Sequence, residues 1–221
     1  MIKRLLSYIL PIRIYEKSSL ISQSLEVSWN NGKLVLDSKN TNYSYGSLQK
    51  VLRKGLISIG YDQIKKMDSI LVLGVAGGSV IKTLVDEIQF KGSIIGVEID
   101  ENSIEIANRF FGLHKIKNYR TIITDAKEFV KRETQKYDLI IIDIFEDASM
   151  PSFLFKKEFV DYCKQLLQIN GFILFNTMIL NEKNIDRNNN FIKQFDNENF
   201  YCKTFSKVEH YNQLIIIEKR S

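Results

Sequence analysis

The stretch 69–100 reads SILVLGVAGGSVIKTLVDEIQFKGSIIGVEID, and its reading decides the fold. It opens on an uninterrupted apolar run, 70–73, and passes through Gly74-Val75-Ala76-Gly77-Gly78-Ser79. A segment with helical spacing follows over 80–89, then a second apolar run, 94–97, which ends in Glu98-Ile99-Asp100. Apolar runs without polar alternation predict strands buried on both faces, and strand–helix–strand units predict a parallel sheet covered by helices. Small residues at the first strand-to-helix turn let a ligand come close to the backbone. The turn is not GxGxxG, because Ala76 and Ser79 interrupt that spacing, and no Gly-Lys-Ser/Thr follows. A nicotinamide oxidoreductase and a P-loop enzyme are therefore disfavoured.

Downstream, the runs 120–123, 139–142 and 172–175 alternate with helical segments at 103–111, 126–134 and 157–168. Right-handed crossovers then align the C-terminal ends of the strands along one edge, where ligands bind. The closing runs 200–205 and 213–218 lie too near each other for a helical crossover and are expected to pair antiparallel. A mostly parallel α/β sheet with a C-terminal antiparallel hairpin is the class I methyltransferase-like, or Rossmann-like, arrangement. The Asn-rich stretch 181–190 reads as a loop leading into a helix. Upstream, 24–29 and 33–37 alternate in polarity about Asn30-Asn31-Gly32, a strong hairpin signal. The expected organisation is a small antiparallel β-sheet over 1–45 and an α/β domain over 46–221 that starts with a helix at 47–59.

Length and composition set the bounds. The chain has 221 residues, 44% hydrophobic and 26% charged, enough for a sizeable core, and two prolines exclude a collagen-like or Pro-rich class. Cys163 and Cys202 make no CxxC pair, and with two histidines no metal centre is expected; free thiols point to a reducing compartment. The opening MIKRLLSYILPIR has a short apolar run broken by Ser7 and Tyr8 and stopped by Pro11 and Arg13, without a small-residue cleavage site. No run approaches the roughly 20 apolar residues of a membrane span. A cytoplasmic protein with no membrane partner is expected. The net charge of +5 comes from dispersed pairs such as Lys65-Lys66, Lys131-Arg132, Lys156-Lys157 and Lys219-Arg220, so no nucleic-acid partner is expected.

The informative charges are acids at strand ends. Glu98 can accept hydrogen bonds from both ribose hydroxyls of a nucleoside, with Asp100 read as a helix cap. Asp125, followed by Ala126, can accept from an adenine amino group, cap the helix 126–134, or do both. Asp143 follows four apolar residues, and a carboxylate so placed needs a partner, which a cationic ligand would supply. Glu146 and Asp147 follow close behind. His114 and His210 read as surface residues, and Trp29 as an anchor of the hairpin.

Taken together, ILVLGVAGGSVIKTL, IIGVEIDENSIEIA, TIITDAKEFV and YDLIIIDIFED resemble the spermidine synthase family of aminopropyltransferases. Gln23-Ser24-Leu25-Glu26-Val27 is similar to the family's Q-x-I-x-V, and Leu34-Val35-Leu36-Asp37 to its L-x-L-D. The resemblance covers roughly residues 20 to 180. It implies that Gly74, Ala76, Gly77, Gly78, Glu98, Asp125 and Ala126 bind S-adenosylmethionine or its decarboxylated form as co-substrate. It also implies that Gln23, Tyr45 and Glu146 line the acceptor site, that Asp143 receives or orients the nucleophilic amine, and that a homodimer forms. Departures fall on the amine side. Gly77 stands where an ungapped match to G-G-G-D-G-G puts an aspartate, Lys82-Thr83 replaces Arg-Glu, Gly46 replaces a histidine, and D-I-F-E-D replaces D-S-x-D-P. The expected function is thus a spermidine-synthase-like transferase alkylating a small acceptor, an amine or another nucleophile, other than putrescine. True aminopropyl transfer to putrescine is the alternative, and a non-catalytic nucleoside-binding or assembly module is the second.

Overall fold

The computed structural model describes residues 2–19, 21–38, 42–45, 47–146, 149–209 and 211–221; Gly46, Asp147 and His210, singled out above, lie outside them. A short helix, α1 (Ile2–Leu6), leads into a four-stranded antiparallel meander of β1 (Ile12–Ser19), β2 (Gln23–Asn30), β3 (Lys33–Ser38) and β4 (Asn42–Ser44). The β2–β3 turn is the expected one: Asn31 and Gly32 both take positive φ, 48° and 72°, which suits the twist of a two-residue hairpin. The turn is gripped from the N-terminal side, where Ser7 O accepts from Asn31 N at 3.0 Å and Ser7 Oγ from Gly32 N at 3.0 Å.

The second sheet carries the site. Its strands are β5 (Ser69–Leu73), β6 (Ser93–Glu98), β7 (Tyr119–Ile123), β8 (Tyr137–Ile142), β9 (Leu167–Met178), β10 (Phe200–Val208) and β11 (Asn212–Lys219). Their order is β10-β11-β9-β8-β5-β6-β7. The five strands β5 to β9 are parallel, and β11 and β10 add an antiparallel edge, as the short connection between them requires. The helices are α2 (Ser47–Ile59), α3 (Tyr61–Ile64), α4 (Ser79–Lys82), α5 (Glu101–Phe111), α6 (Ala126–Arg132), α7 (Lys157–Leu166) and α8 (Glu182–Ile192). Side chains of a strand alternate between faces, so each apolar run serves two cores. Ile70, Val72, Ile94, Leu139, Ile141, Leu174 and Leu214 pack with α2 and α4 on one face. Leu71, Leu73, Ile95, Val97, Ile140, Ile142, Ile173 and Phe175 pack with α6, α7 and α8 on the other.

Three local expectations change. The segment expected as one helix over 80–89 is α4 followed by a π-helical turn, Thr83–Glu87, in which Ile88 N donates to Thr83 O at 3.0 Å. Helix α7 stops at Leu166, two residues earlier than expected, and β9 starts at once at Leu167, ahead of the apolar run 172–175. The Asn-rich stretch is helix α8 rather than a loop. Asn181 caps it by accepting from Asn184 N at 3.1 Å, and Asn188 and Phe191 turn into the core. Among the described residues, no helix is long and apolar enough to cross a membrane, and no cluster of His, Cys, Asp or Glu has the makings of a metal site.

Candidate active site

Four strand ends converge on the turn after β5. Gly74 N donates to Val97 O at 2.9 Å and Asp143 N to Leu73 O at 2.8 Å, so the first residues beyond β5 and β8 lie side by side. Gly74 has φ +89°, and a Cβ there would collide with the Asp143 carbonyl oxygen. Close approach and backbone conformation both demand glycine at this point. Gly78 takes φ +79° and packs on Leu113, Ala76 takes φ +47°, and Gly77 and Gly78 are buried.

Glu98 is buried beneath this turn. Its Oε2 accepts from Val75 N at 3.0 Å and Ala76 N at 2.9 Å, and its Oε1 from Ile99 N at 2.8 Å and Asp100 N at 3.0 Å. Four backbone donors fill the acceptor capacity of one carboxylate. Glu98 therefore ties the end of β6 to the turn after β5, and a ribose could bind it only by exchanging with some of these amides. Asp100 caps α5 as expected, accepting from Asn102 N at 3.0 Å, and its other oxygen accepts from Ser19 Oγ at 2.6 Å. Asp125 caps α6 through Oδ1, which accepts from Lys127 N at 2.7 Å and Glu128 N at 3.3 Å. No hydrogen bond to its Oδ2 occurs among the described residues, so cap and ligand acceptor are compatible roles. Ala126, the first residue of α6, is buried.

Asp143 is the site's perturbed acid. Burial pushes its carboxyl up to about 6, the Asn176 hydrogen bond opposes this, and repulsion from Glu98 adds to the rise. Asn176 Nδ2 donates to Asp143 Oδ1 at 2.8 Å, and Asn212 Nδ2 donates to Asn176 Oδ1 at 3.0 Å. Neither amide was foreseen. The signal was present in Asn176, a polar residue closing the apolar run Gly171-Phe172-Ile173-Leu174-Phe175 at the same sheet edge as Asp143.

The N-terminal sheet reaches this edge through Tyr45. Its hydroxyl donates to Gly77 O at 3.1 Å, and its ring stacks on Phe111 with centroids 4.3 Å apart. Burial, reinforced by Asp86, raises the Tyr45 hydroxyl far above its usual range, so it stays protonated. Gln23 lies exposed at the start of β2, opposite Ser19, and its side chain makes no hydrogen bond among the described residues. Glu146 is exposed and paired through its backbone with Ser149. The replacements after the turn bond within the helix and to α2: Lys82 pairs with Asp86 at 2.9 Å, and Thr83 Oγ1 donates to Ser79 O at 3.1 Å and accepts from Gln49 Nε2 at 3.3 Å. His114 is exposed, and its Nδ1 lies 2.9 Å from the Asn108 carbonyl oxygen.

A mostly parallel seven-stranded sheet with an antiparallel end, a glycine-rich turn after its first strand and acids on the following strand ends define the class I methyltransferase-like fold. Solved structures agree on the fold. Spermidine synthase from Thermotoga maritima superimposes with a TM-score of 0.67 at 17% identity, over 95% of this chain and 73% of that one. Human methyltransferase-like protein 13 does so with 0.66 at 19% identity, over 80% and 83%. Within that class the chain belongs to the spermine/spermidine synthase family, whose domain model matches residues 29–217. A polyamine aminopropyltransferase of Vibrio vulnificus is 36% identical over 115 residues, 51% of this chain and 38% of the relative. The chain thus matches well under half the length of that curated relative.

Proposed function

We propose that the protein transfers the aminopropyl group of decarboxylated S-adenosylmethionine to a small primary amine, with putrescine as the first acceptor to test. The name carried by the relatives favours this over a reading in which putrescine is not the acceptor. The observation that carries it is Asp143, a half-buried residue whose carboxyl is lifted to about 6 and whose backbone abuts Gly74 of the glycine-rich turn. It is ionised at neutral pH, yet close enough to neutrality to take a proton.

In the proposed reaction the acceptor nitrogen attacks the aminopropyl carbon next to the sulfonium. The C–N bond forms as the C–S bond breaks, and the sulfur keeps the electron pair in a neutral thioether. Asp143 takes the proton that the new ammonium releases. The sulfonium already activates the carbon, so positioning supplies most of the rate. Tyr45 and the turn close the site from the side of the N-terminal sheet; Asp125 offers its second oxygen to the nucleoside, and Glu98 accepts from the ribose by exchanging some of its backbone amides.

Incubating the pure chain with decarboxylated donor and putrescine should yield spermidine and methylthioadenosine in equal amounts by mass spectrometry. Methylated amine from S-adenosylmethionine, with no spermidine from the decarboxylated donor, overturns the proposal in favour of methyl transfer. Donor binding without turnover of either donor overturns it in favour of a binding module.

A further inference from the structure

The polar residues behind Asp143 form a chain with a direction. Asn176 is fully buried, in the register position of β9 opposite Leu214. Its Oδ1 accepts from Asn212 Nδ2 at 3.0 Å, which leaves its NH2 to face Asp143 Oδ1 at 2.8 Å. The next residue along β9 is anchored separately: Asn188 Nδ2 donates to Thr177 Oγ1 at 3.0 Å and to Gln213 Oε1 at 2.8 Å. The strand carrying Asn176 is therefore pinned by a second, wholly buried set of amides, and Asn176 has little room to turn away.

We propose that Asn176, oriented by Asn212, is the positioning residue of Asp143: its amide holds one carboxylate oxygen, leaves the other for the acceptor amine, and favours the ionised form. This rests on Asp143 being the proton acceptor. Among the described residues, the charged group acting on Asp143 is Glu98, from the end of β6. Beside it, β5 brings the backbone of Gly74, and β9 and β11 bring Asn176 and Asn212, which do not titrate. An amide donor on a carboxylate stabilises the charged form, so Asn176 opposes both burial and Glu98. The antiparallel strand β11 thus reaches the chemistry through Asn212.

The test is Asn176→Leu, with two readouts. In the pH profile of kcat/KM the acid limb should move up by about one unit, with kcat falling more than KM changes. In the 13C carboxyl spectrum of aspartate-labelled protein, the Asp143 resonance, assigned by its loss in Asp143→Asn, should titrate about one unit higher. Asn212→Ala, at a half-exposed position, should move both the same way by less, and it carries the test if the leucine variant does not fold. A folded variant whose Asp143 titrates as in the parent overturns the inference. Full activity of Asp143→Asn sinks the proton-acceptor role instead, and the carboxyl titration still reports whether Asn176 governs Asp143.

Discussion

Two carboxylates a strand apart have opposite environments. Glu98 accepts from four backbone amides and ties the end of β6 to the turn, whereas Asp143, among the described residues, accepts from one side-chain amide, at Oδ1. Both were visible in the sequence as acids ending apolar runs, but their division of labour was not, because it depends on which amides the turn after β5 presents. Gly77 marks the point where the family's aspartate is missing. It is not among the glycines with positive φ, so an aspartate is compatible with its backbone. Gly77→Asp should lower the KM for putrescine about tenfold, the worth of one charge-assisted hydrogen bond, while kcat changes little. Steady-state kinetics with a graded amine series checks this. An unchanged KM means that position 77 does not face the amine.

Elements were legible where packing follows sequence period and lost where it does not. Helix α2 and the five parallel strands stood out because their apolar spacing is what the two cores use. Strand β1 was missed because its exposure is irregular and a register shift falls between Arg13 and Tyr15. The polar composition of 181–190 reads as a loop leading into a helix, whereas the helix already starts at Glu182; Asn188 enters the core as a hydrogen-bonding residue and leaves no apolar signature there. The meander carries a strain of its own. Asp37 lies directly across from Glu26, and burial, aided by that like charge, pushes its carboxyl up to about 6. The folded chain then holds this proton more tightly than the unfolded one does. The stability so gained is complete below about pH 4 and lost as pH rises through about 6. Asp37→Asn should therefore stabilise by about 1 kcal/mol at pH 7.5, after allowance for solvent screening, and by nothing at pH 4. Paired thermal melts of parent and variant at the two pH values decide it; equal shifts at both would rule out titration of Asp37 as the cause.

At the scale of the molecule, the small sheet is bonded to the large one. Leu25, Val27 and Leu36 pack on Ile106 of α5, with Tyr15 against Phe110 and Tyr45 against Phe111. Asn102 Nδ2 donates to Ser18 O at 3.0 Å across the same seam. Ile106→Ala should cost about 2–4 kcal/mol and lower Tm by about 6–12 °C. Hydrogen exchange should show the lost protection concentrated in β1 to β3; a loss spread evenly over β5 to β9 would mean that the seam is not what Ile106 supports. The pairing of β8 with β9 reaches further than the seam. Ile142 lies opposite Phe175, so Asp143 and Asn176 meet as the next rung of the same ladder. Side chains alternate along a strand, and moving β9 by one rung would bring Phe175 or Thr177 to Asp143. Inserting or deleting a single residue upstream in β9 would thus disarm the acid while leaving every residue of the site in the sequence. The neighbouring loops face no such constraint, so changes of length among relatives that keep this chemistry should gather in the loops and spare the stretch from Gly171 to Asn176.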